Sequence, residues 1–176
     1  MRYRITKYDP ARRNAQGAYP SDEWTSCWDI GKTIGGKKLS AEGYLAAERA
    51  YLDAIRMVAE QNGCCLFRVR QLERLYSVWE TGRKMKRLGL PLAEKELELY
   101  RSVDLASTYD LEAALSLSAL ILRELLWATL CAADGELSFT FGYDYYLYAD
   151  CPQLSPGVIA QIEGRGLFVE ACETPE

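Results

Sequence analysis

The chain has 176 residues, 49% of them apolar and 26% charged, and its formal net charge is −4. This composition is typical of a single folded domain, here residues 1–176, and no apolar run approaches the roughly 20 residues that cross a bilayer. The sequence contains no histidine, which excludes Ser-His-Asp and Cys-His catalytic groups and most catalytic zinc sites.

The first predicted elements are a strand and a long loop. Residues 2–8 alternate in polarity, which indicates a strand, and a polar loop begins at Asp9. Residues 23–38 continue this loop with two tryptophans, Trp24 and Trp28, and with glycines beside lysines. The spacing GxxxxGK[ST] of a phosphate-binding loop is absent. We therefore favour a loop fixed to the core by its tryptophans over a nucleotide site.

A helix is predicted over residues 41–62, with Ser40 as its N-cap and apolar residues at helical spacing. Residues 64–72 alternate as a second strand. Residues 71–89 are ambiguous, because Leu72, Leu75, Tyr76 and Trp79 suit a helical face and a basic cluster follows them. Aromatic residues beside a basic cluster can bind nucleic acid. This cluster is short and the chain is acidic, so we predict a solvated helix end and no direct nucleic-acid partner.

Three more helices are predicted from their start signals. Pro91 suits the first position of one helix. Asp110 is predicted to cap a second helix, whose buried face comprises Leu111, Leu115, Ala119, Leu122 and Leu125. Ser155 is predicted to cap a short third helix with Pro156 at its first position, and residues 167–172 then form a last strand.

The stretch from Leu125 to Cys151 is predicted to form two or three antiparallel strands. Residues 126–132 and 137–141 alternate so that their apolar sets share one face, and Asp134-Gly135 suits a two-residue turn between them. Gly142 marks a bulge or bend. Beyond it, Tyr143, Tyr145, Leu147 and Ala149 are predicted to oppose Asp144, Tyr146 and Tyr148.

The order of elements predicts an α+β fold, with a mainly antiparallel sheet of about five strands and helices packed on it. The second face of this sheet carries Trp127, Tyr146 and Tyr148, a set that is unsuited to complete exposure. Either helices cover that face or a partner binds there, and the first interpretation is favoured.

The six cysteines are expected to be free thiols in the cytoplasm. Residues 1–10 lack the apolar segment of a secretory signal, and no CxxC pair occurs. We predict no metal site, no cofactor, no catalytic residue and no membrane partner.

Charge is unevenly divided along the chain. Residues 1–90 hold 17 basic and 10 acidic side chains, whereas residues 91–176 hold 4 and 15. The two halves either neutralise each other across the fold or leave an acidic surface for a cationic partner.

Four stretches carry a resemblance to known proteins: RYRITKYDPARRN, DEWTSCWDIGK, FGYDYYLY and GRGLFVE. Together they resemble small bacterial proteins associated with the immunity proteins of contact-dependent and polymorphic toxin systems. The resemblance spans nearly the whole chain and gives no residue a role. It implies an inhibitor that binds a cognate protein toxin.

The sequence therefore predicts a non-enzymatic cytoplasmic binding protein that masks the basic active surface of a toxin, such as a nuclease domain. Acidic side chains beside tyrosines suit such a surface. The predicted partner-binding residues are Asp134, Glu136, Asp144, Tyr146, Tyr148 and Asp150.

Two alternatives remain open. The first is a small-molecule enzyme that uses carboxylate and tyrosine chemistry, with Glu23 and Asp29 near the tryptophans, or Asp144, as its acids. The second is an oligomeric structural or regulatory subunit whose aromatic sheet face is the subunit interface.

Overall fold

The computed structural model describes residues 1–15, 19, 22–133 and 135–172. Within these residues, five α-helices and nine strands are numbered in chain order. The helices are α1 (Ala41–Gln61), α2 (Val78–Arg87), α3 (Glu94–Ser102), α4 (Leu111–Leu122) and α5 (Pro156–Glu163). The strands are β1 (Arg2–Thr6), β2 (Thr33–Ile34), β3 (Lys37–Lys38), β4 (Leu66–Arg74), β5 (Thr108–Asp110), β6 (Leu126–Ala132), β7 (Ser138–Phe141), β8 (Leu147–Asp150) and β9 (Phe168–Cys172).

Seven of these strands form one antiparallel sheet in the order β5-β4-β6-β7-β8-β1-β9, and β2 and β3 form a separate hairpin. The α+β class and the antiparallel sheet are confirmed, but the predicted count of about five strands is wrong. The sequence left two or three strands open between Leu125 and Cys151, where the structure has three, and it gave no signal for β5. Strand β5 has three residues and runs directly into the cap of α4, so it is too short to show an alternating pattern.

The helices pack against one face of the large sheet. Helix α1 packs on α4 and α5, and α4 packs on β4, β5 and β6. In β6, Leu126, Ala128, Leu130 and Ala132 are buried, while the residues between them are only half-buried. Phe139 of β7 is also buried, with its ring 6.1 Å from that of Phe67. The predicted shared core face of residues 126–132 and 137–141 is thus confirmed.

The predicted helix starts are confirmed with one exception. The side-chain oxygens of Ser40, Asp110 and Ser155 accept hydrogen bonds from backbone amides in the first turns of α1, α4 and α5. Pro91 does not begin a helix. Helix α3 starts at Glu94, because the Glu96 carboxylate accepts the amide of Ala93 at 2.7 Å and so satisfies the helix start there.

Residues 71–89, which were ambiguous in the sequence, divide between a strand and a helix, so Leu72, Leu75, Tyr76 and Trp79 do not share one helical face. Strand β4 continues to Arg74 through an irregularity in its pairing after Arg70, and Gln71 has a positive φ of 55° there. Helix α2 then begins at Val78, capped by a reciprocal pair of Ser77 and Glu80. The basic residues occupy the last turns of α2, where they favour the helix dipole.

The glycine- and lysine-containing loop is a tight hairpin held against the core. Gly35 and Gly36 connect β2 to β3 with φ values of 56° and 77°, as a two-residue turn requires. The tryptophans pack as predicted: Trp24 lies against Tyr44 and Trp28 against Tyr76. The glycines are therefore explained by the turn.

The β6–β7 connection is longer than predicted. The amide of Ala132 donates to the carbonyl of Leu137 at 2.8 Å, so four residues separate this pair instead of two. Asp134 itself lies outside the described residues.

Candidate functional site

The sheet has an accessible second face, opposite the helices. We define the outer face by residues that alternate with the core positions of the central strands and are half-buried or exposed. They are Arg2, Arg4, Arg68, Arg70, Trp127, Thr129, Cys131, Ser138, Thr140, Tyr148 and Asp150. The favoured prediction that helices cover this face is wrong. The aromatic rings of Tyr8 and Tyr19 cover only the part near Tyr146.

The acidic residues of the outer face are paired with arginines. Asp150 lies opposite Arg2 in the β1–β8 register, with Arg2 Nε 3.1 Å from Asp150 Oδ1. Across the β1–β9 pair, Glu170 contacts Arg4 at 2.9 Å and also pairs with Arg13. At the other side of the face, Arg68 and Arg70 have no salt-bridge partner among the described residues. The outer face is consequently mixed in charge and basic toward β4.

The structure brings together only part of the predicted partner-binding set. Tyr146, Tyr148 and Asp150 follow one another along the outer side of β8, and Asp144 lies in the turn before that strand. Glu136 is exposed on the connection that precedes β7, at the opposite end of that strand from Asp144. Asp134 falls outside the described part of the chain.

The turn between β7 and β8 departs from the predicted alternation. Gly142 ends β7, and its amide donates to the carbonyl of Tyr146 at 2.7 Å. Asp144 and Tyr145 have positive φ values of 59° and 63°. Strand β8 therefore begins only at Leu147, and Tyr143 does not share a face with Tyr145. Tyr145 is buried, whereas Tyr143 is 84% exposed.

Three hydroxyl groups fix this turn to the core. The Tyr145 hydroxyl donates to the carbonyl of Leu122 at 2.6 Å and lies 2.6 Å from the Tyr44 hydroxyl. The Tyr51 hydroxyl donates to the Tyr145 carbonyl at 2.6 Å. Burial raises the pKa of Tyr145 well above its usual range, so its hydroxyl stays protonated. A bulky residue with positive φ is conformationally costly, and these contacts hold it in place.

A cavity of about 250 Å³ opens beside this turn. Its lining comes from four segments that are distant in sequence: Thr25 and Ser26; Leu75; Ile121, Leu122, Glu124, Leu126 and Trp127; and residues 141–146. The rings of Trp127 and Tyr143 lie 5.7 Å apart with their planes at 31°. They form an aromatic wall, which we define by these two residues.

Two acidic residues, Glu124 and Asp144, line the same cavity. Neither has a lysine or arginine nitrogen within salt-bridge distance in the described part of the chain. Glu124 also has a positive φ, 54°. Three of the four described non-glycine residues with positive φ therefore border this cavity, and such conformations cluster at functional sites.

Glu124 and the aromatic wall were missed from the sequence. Residues 111–125 predict a continuous helix, and no glycine marks the position where α4 gives way to β6. Glu124 reverses the chain there by its positive φ, supported by the bond from its amide to the Ile121 carbonyl at 2.8 Å. Leu125, predicted on the helical face, is buried but lies beyond the helix.

The acids of the alternative enzyme site have structural partners. Glu23 pairs with Lys7 at 3.3 Å and with Arg12. Asp29 accepts the amides of Thr25 and Ser26 and pairs with Lys32. Partial burial acts to raise the pKa of Asp29, but these bonds outweigh it and lower that pKa. Of the acids proposed for that site, Asp144 alone lines the cavity described above.

Comparisons with protein-family models, with curated proteins and with solved structures found no significant match to this chain. Among the described residues, no helix has the length and apolarity to cross a membrane. The same residues contain no group of three or more cysteine, aspartate or glutamate side chains arranged to hold a metal ion.

Proposed function

We propose that this protein is a non-enzymatic cytoplasmic binding protein, an immunity protein that neutralises a cognate toxin by covering its basic active surface. The observation that carries the proposal is the β7–β8 turn, which presents an exposed aromatic side chain and an unpaired carboxylate from a rigid base. Binding hot spots commonly combine such aromatic anchors with desolvated polar groups.

The turn is pre-organised for binding. Tyr145 is buried and fixed by hydroxyl contacts to helices α1 and α4, which leaves Tyr143 and Asp144 projecting from an ordered base. Order before binding lowers the entropic cost of association. An exposed tyrosine adds a large contact area with few rotatable bonds.

Charge favours the turn over the centre of the outer face as the proposed contact surface. Asp150 already pairs with Arg2, and the unpaired Arg68 and Arg70 would repel a basic partner. At the turn, Asp144 and Glu124 lack a counter-ion among the described residues. We therefore place the contact at Tyr143, Asp144 and Tyr146, with Glu136 outside it.

The test is capture of the partner from native cells with the tagged protein, followed by mass spectrometry and a quantitative binding assay. Asp144→Lys is expected to weaken binding at least tenfold by removing a charge complement and adding repulsion. Glu136→Lys makes the same charge change at the other end of β7 and serves as the matched control. Asp150→Lys is avoided because it would set a lysine against Arg2.

Capture of a single basic toxin fragment by the wild-type protein and by Glu136→Lys, but not by Asp144→Lys, would support both the function and the surface. Equal capture by all three proteins would reject the surface. Failure of the wild-type protein to retain any protein would reject the inhibitor function.

One observation favours the enzyme alternative: the cavity contains two carboxylates and several tyrosines. A small molecule carried through purification, with no retained protein, would support it. The oligomeric alternative predicts association through the outer face, and light scattering that shows a strict monomer would reject it.

A further inference from the structure

We infer that the cavity beside the β7–β8 turn binds the guanidinium group of an arginine supplied by the protein partner. This inference rests on the proposed function and specifies how the partner is recognised. Four residues would contact the arginine: Glu124 and Asp144 through charge, and Trp127 and Tyr143 through their rings.

The charges of the cavity point to a cationic occupant. Two acidic residues line one space, and no basic side chain of the described chain lies within salt-bridge distance of either. Unpaired carboxylates attract a cation and repel an anion, and a neutral occupant leaves both charges without a counter-ion.

The aromatic wall selects a flat cation. Trp127 and Tyr143 both line the cavity, with ring centroids 5.7 Å apart and planes inclined by 31°, so an occupant of the cavity meets aromatic rings. A guanidinium group is planar, stacks on aromatic faces and donates five hydrogen bonds in a fixed arrangement to carboxylates. The ammonium group of a lysine is compact and more strongly hydrated, and it gains less from such a wall.

The size of the cavity suits a single side chain. Its volume of about 250 Å³ lies below the roughly 300–1,000 Å³ typical of sites for drug-sized ligands. The space suits a guanidinium with its methylene stem, which can pack against the apolar lining from Leu75, Leu126 and Phe141. The stem then leads out past Tyr143, whose side chain is largely exposed.

The inference is tested by nuclear magnetic resonance titration of the full chain with N-acetyl-arginine amide. N-acetyl-citrulline amide is the isosteric neutral control, and N-acetyl-lysine amide and tetramethylammonium are the cationic controls. The indole N–H of Trp127 reports occupancy, and Trp127→Phe assigns its resonance among the four tryptophans of the chain. We expect saturable shifts at Trp127, Tyr143 and Asp144 with the arginine probe and none with citrulline.

The variants remove charge without altering shape. The double variant Glu124→Gln/Asp144→Asn is expected to weaken binding of the arginine probe at least tenfold, and asparagine tolerates the positive φ at position 144. Glu136→Gln, which removes an equal charge outside the cavity, should leave binding unchanged. Tyr143→Ala should weaken binding severalfold without affecting the fold, because that side chain is largely exposed.

Three results would overturn the inference: no saturable shift at Trp127, equal binding of citrulline, or tighter binding of tetramethylammonium than of arginine. The last result would assign the cavity to a free organic cation. The proposed function is judged separately, by the captured partner. If that partner binds the double variant as tightly as the wild-type protein, the arginine site is rejected and the inhibitor function stands.

Discussion

Arg123 and Glu48 form a two-point ion pair inside the protein, with Arg123 Nε 2.9 Å from Glu48 Oε2 and Nη2 2.6 Å from Oε1. The exposed fractions of the two residues are 7% and 3%. The pair joins the end of α4 to the middle of α1, and Glu96 lies 3.7 Å from a third guanidinium nitrogen. Arg123 immediately precedes Glu124, so this pair fixes the backbone at the edge of the cavity.

Loss of one member of this pair is expected to destabilise the fold. Glu48→Leu leaves the Arg123 charge buried with only the longer contact to Glu96, and we expect a loss of about 3 kcal/mol in the free energy of unfolding. The double variant Glu48→Leu/Arg123→Met removes both charges and should recover most of that loss. Urea denaturation measures both values, and a double variant less stable than Glu48→Leu would contradict the prediction.

The Tyr145 hydroxyl is expected to contribute strongly to stability. Tyr145→Phe leaves the buried carbonyl of Leu122 without its donor, and we expect a loss of about 2 kcal/mol. Tyr143→Phe removes a hydroxyl from a largely exposed ring two residues earlier and should change stability little. Thermal denaturation of the two variants side by side checks this, and equal midpoints would contradict it.

Lys7 is expected to make stability depend on pH in the alkaline range. Its amino group lies 4.0 Å from the centre of the Tyr8 ring and 4.1 Å from that of Trp24. Burial lowers the pKa of Lys7 from 10.5 to about 8, against the opposing effect of Glu23. Between these two pH values the unfolded chain binds more protons at Lys7 than the folded protein does, so a rise in pH favours folding.

The comparison is with Lys7→Met, which removes this titration while other groups continue to titrate. From pH 8 to 10.5, the free energy of unfolding of the wild-type protein should rise relative to that of Lys7→Met by up to about 3 kcal/mol. Below pH 8, Lys7 should no longer make the difference in free energy of unfolding between the two proteins change with pH. Denaturation under reducing conditions measures the free energy of unfolding of each protein. A difference between the two proteins that does not change with pH would refute the lowered pKa of Lys7.

Asp144 is expected to oppose stability while it supports binding. Its φ of 59° suits glycine better than aspartate, so Asp144→Gly should raise the free energy of unfolding by about 0.5–1 kcal/mol. The same change removes a carboxylate from the cavity and should weaken capture of the partner. Gln71→Gly relieves a similar conformation in β4, far from the turn in sequence, and should leave capture unaffected. If Asp144→Gly gained stability with no loss of capture, its backbone conformation would have no functional role.

The sequence correctly predicted the helices and strands in which a pattern of buried side chains repeats along neighbouring residues. The alternation in residues 126–132 and the helical spacing in residues 41–62 each follow from one repeated constraint, the burial of one face, and both predictions hold within one residue at each end. The caps at Ser40 and Asp110 were also predictable, because a cap involves residues only three positions apart.

The candidate site was only partly predictable, because it depends on backbone geometry and on distant contacts. Tyr145 continues an alternating pattern in sequence, and only its hydroxyl contacts to Tyr44 and Leu122 show why the chain turns there. Asp150 was predicted to bind a partner, and its pairing with Arg2 could not be foreseen because the two residues lie 148 positions apart. Glu124 meets Asp144 at one cavity through the packing of α4 and β6 beside the β7–β8 turn.

The position of β1 between β8 and β9 has a consequence for how the protein is made. Arg4 and Glu170, which face each other across this junction, are 166 positions apart. A nascent chain therefore holds its first strand without either neighbour until almost the whole sequence has left the ribosome. Contacts of such long range are completed late and slowly. For the proposed inhibitor, this order of assembly predicts a lag between synthesis and activity.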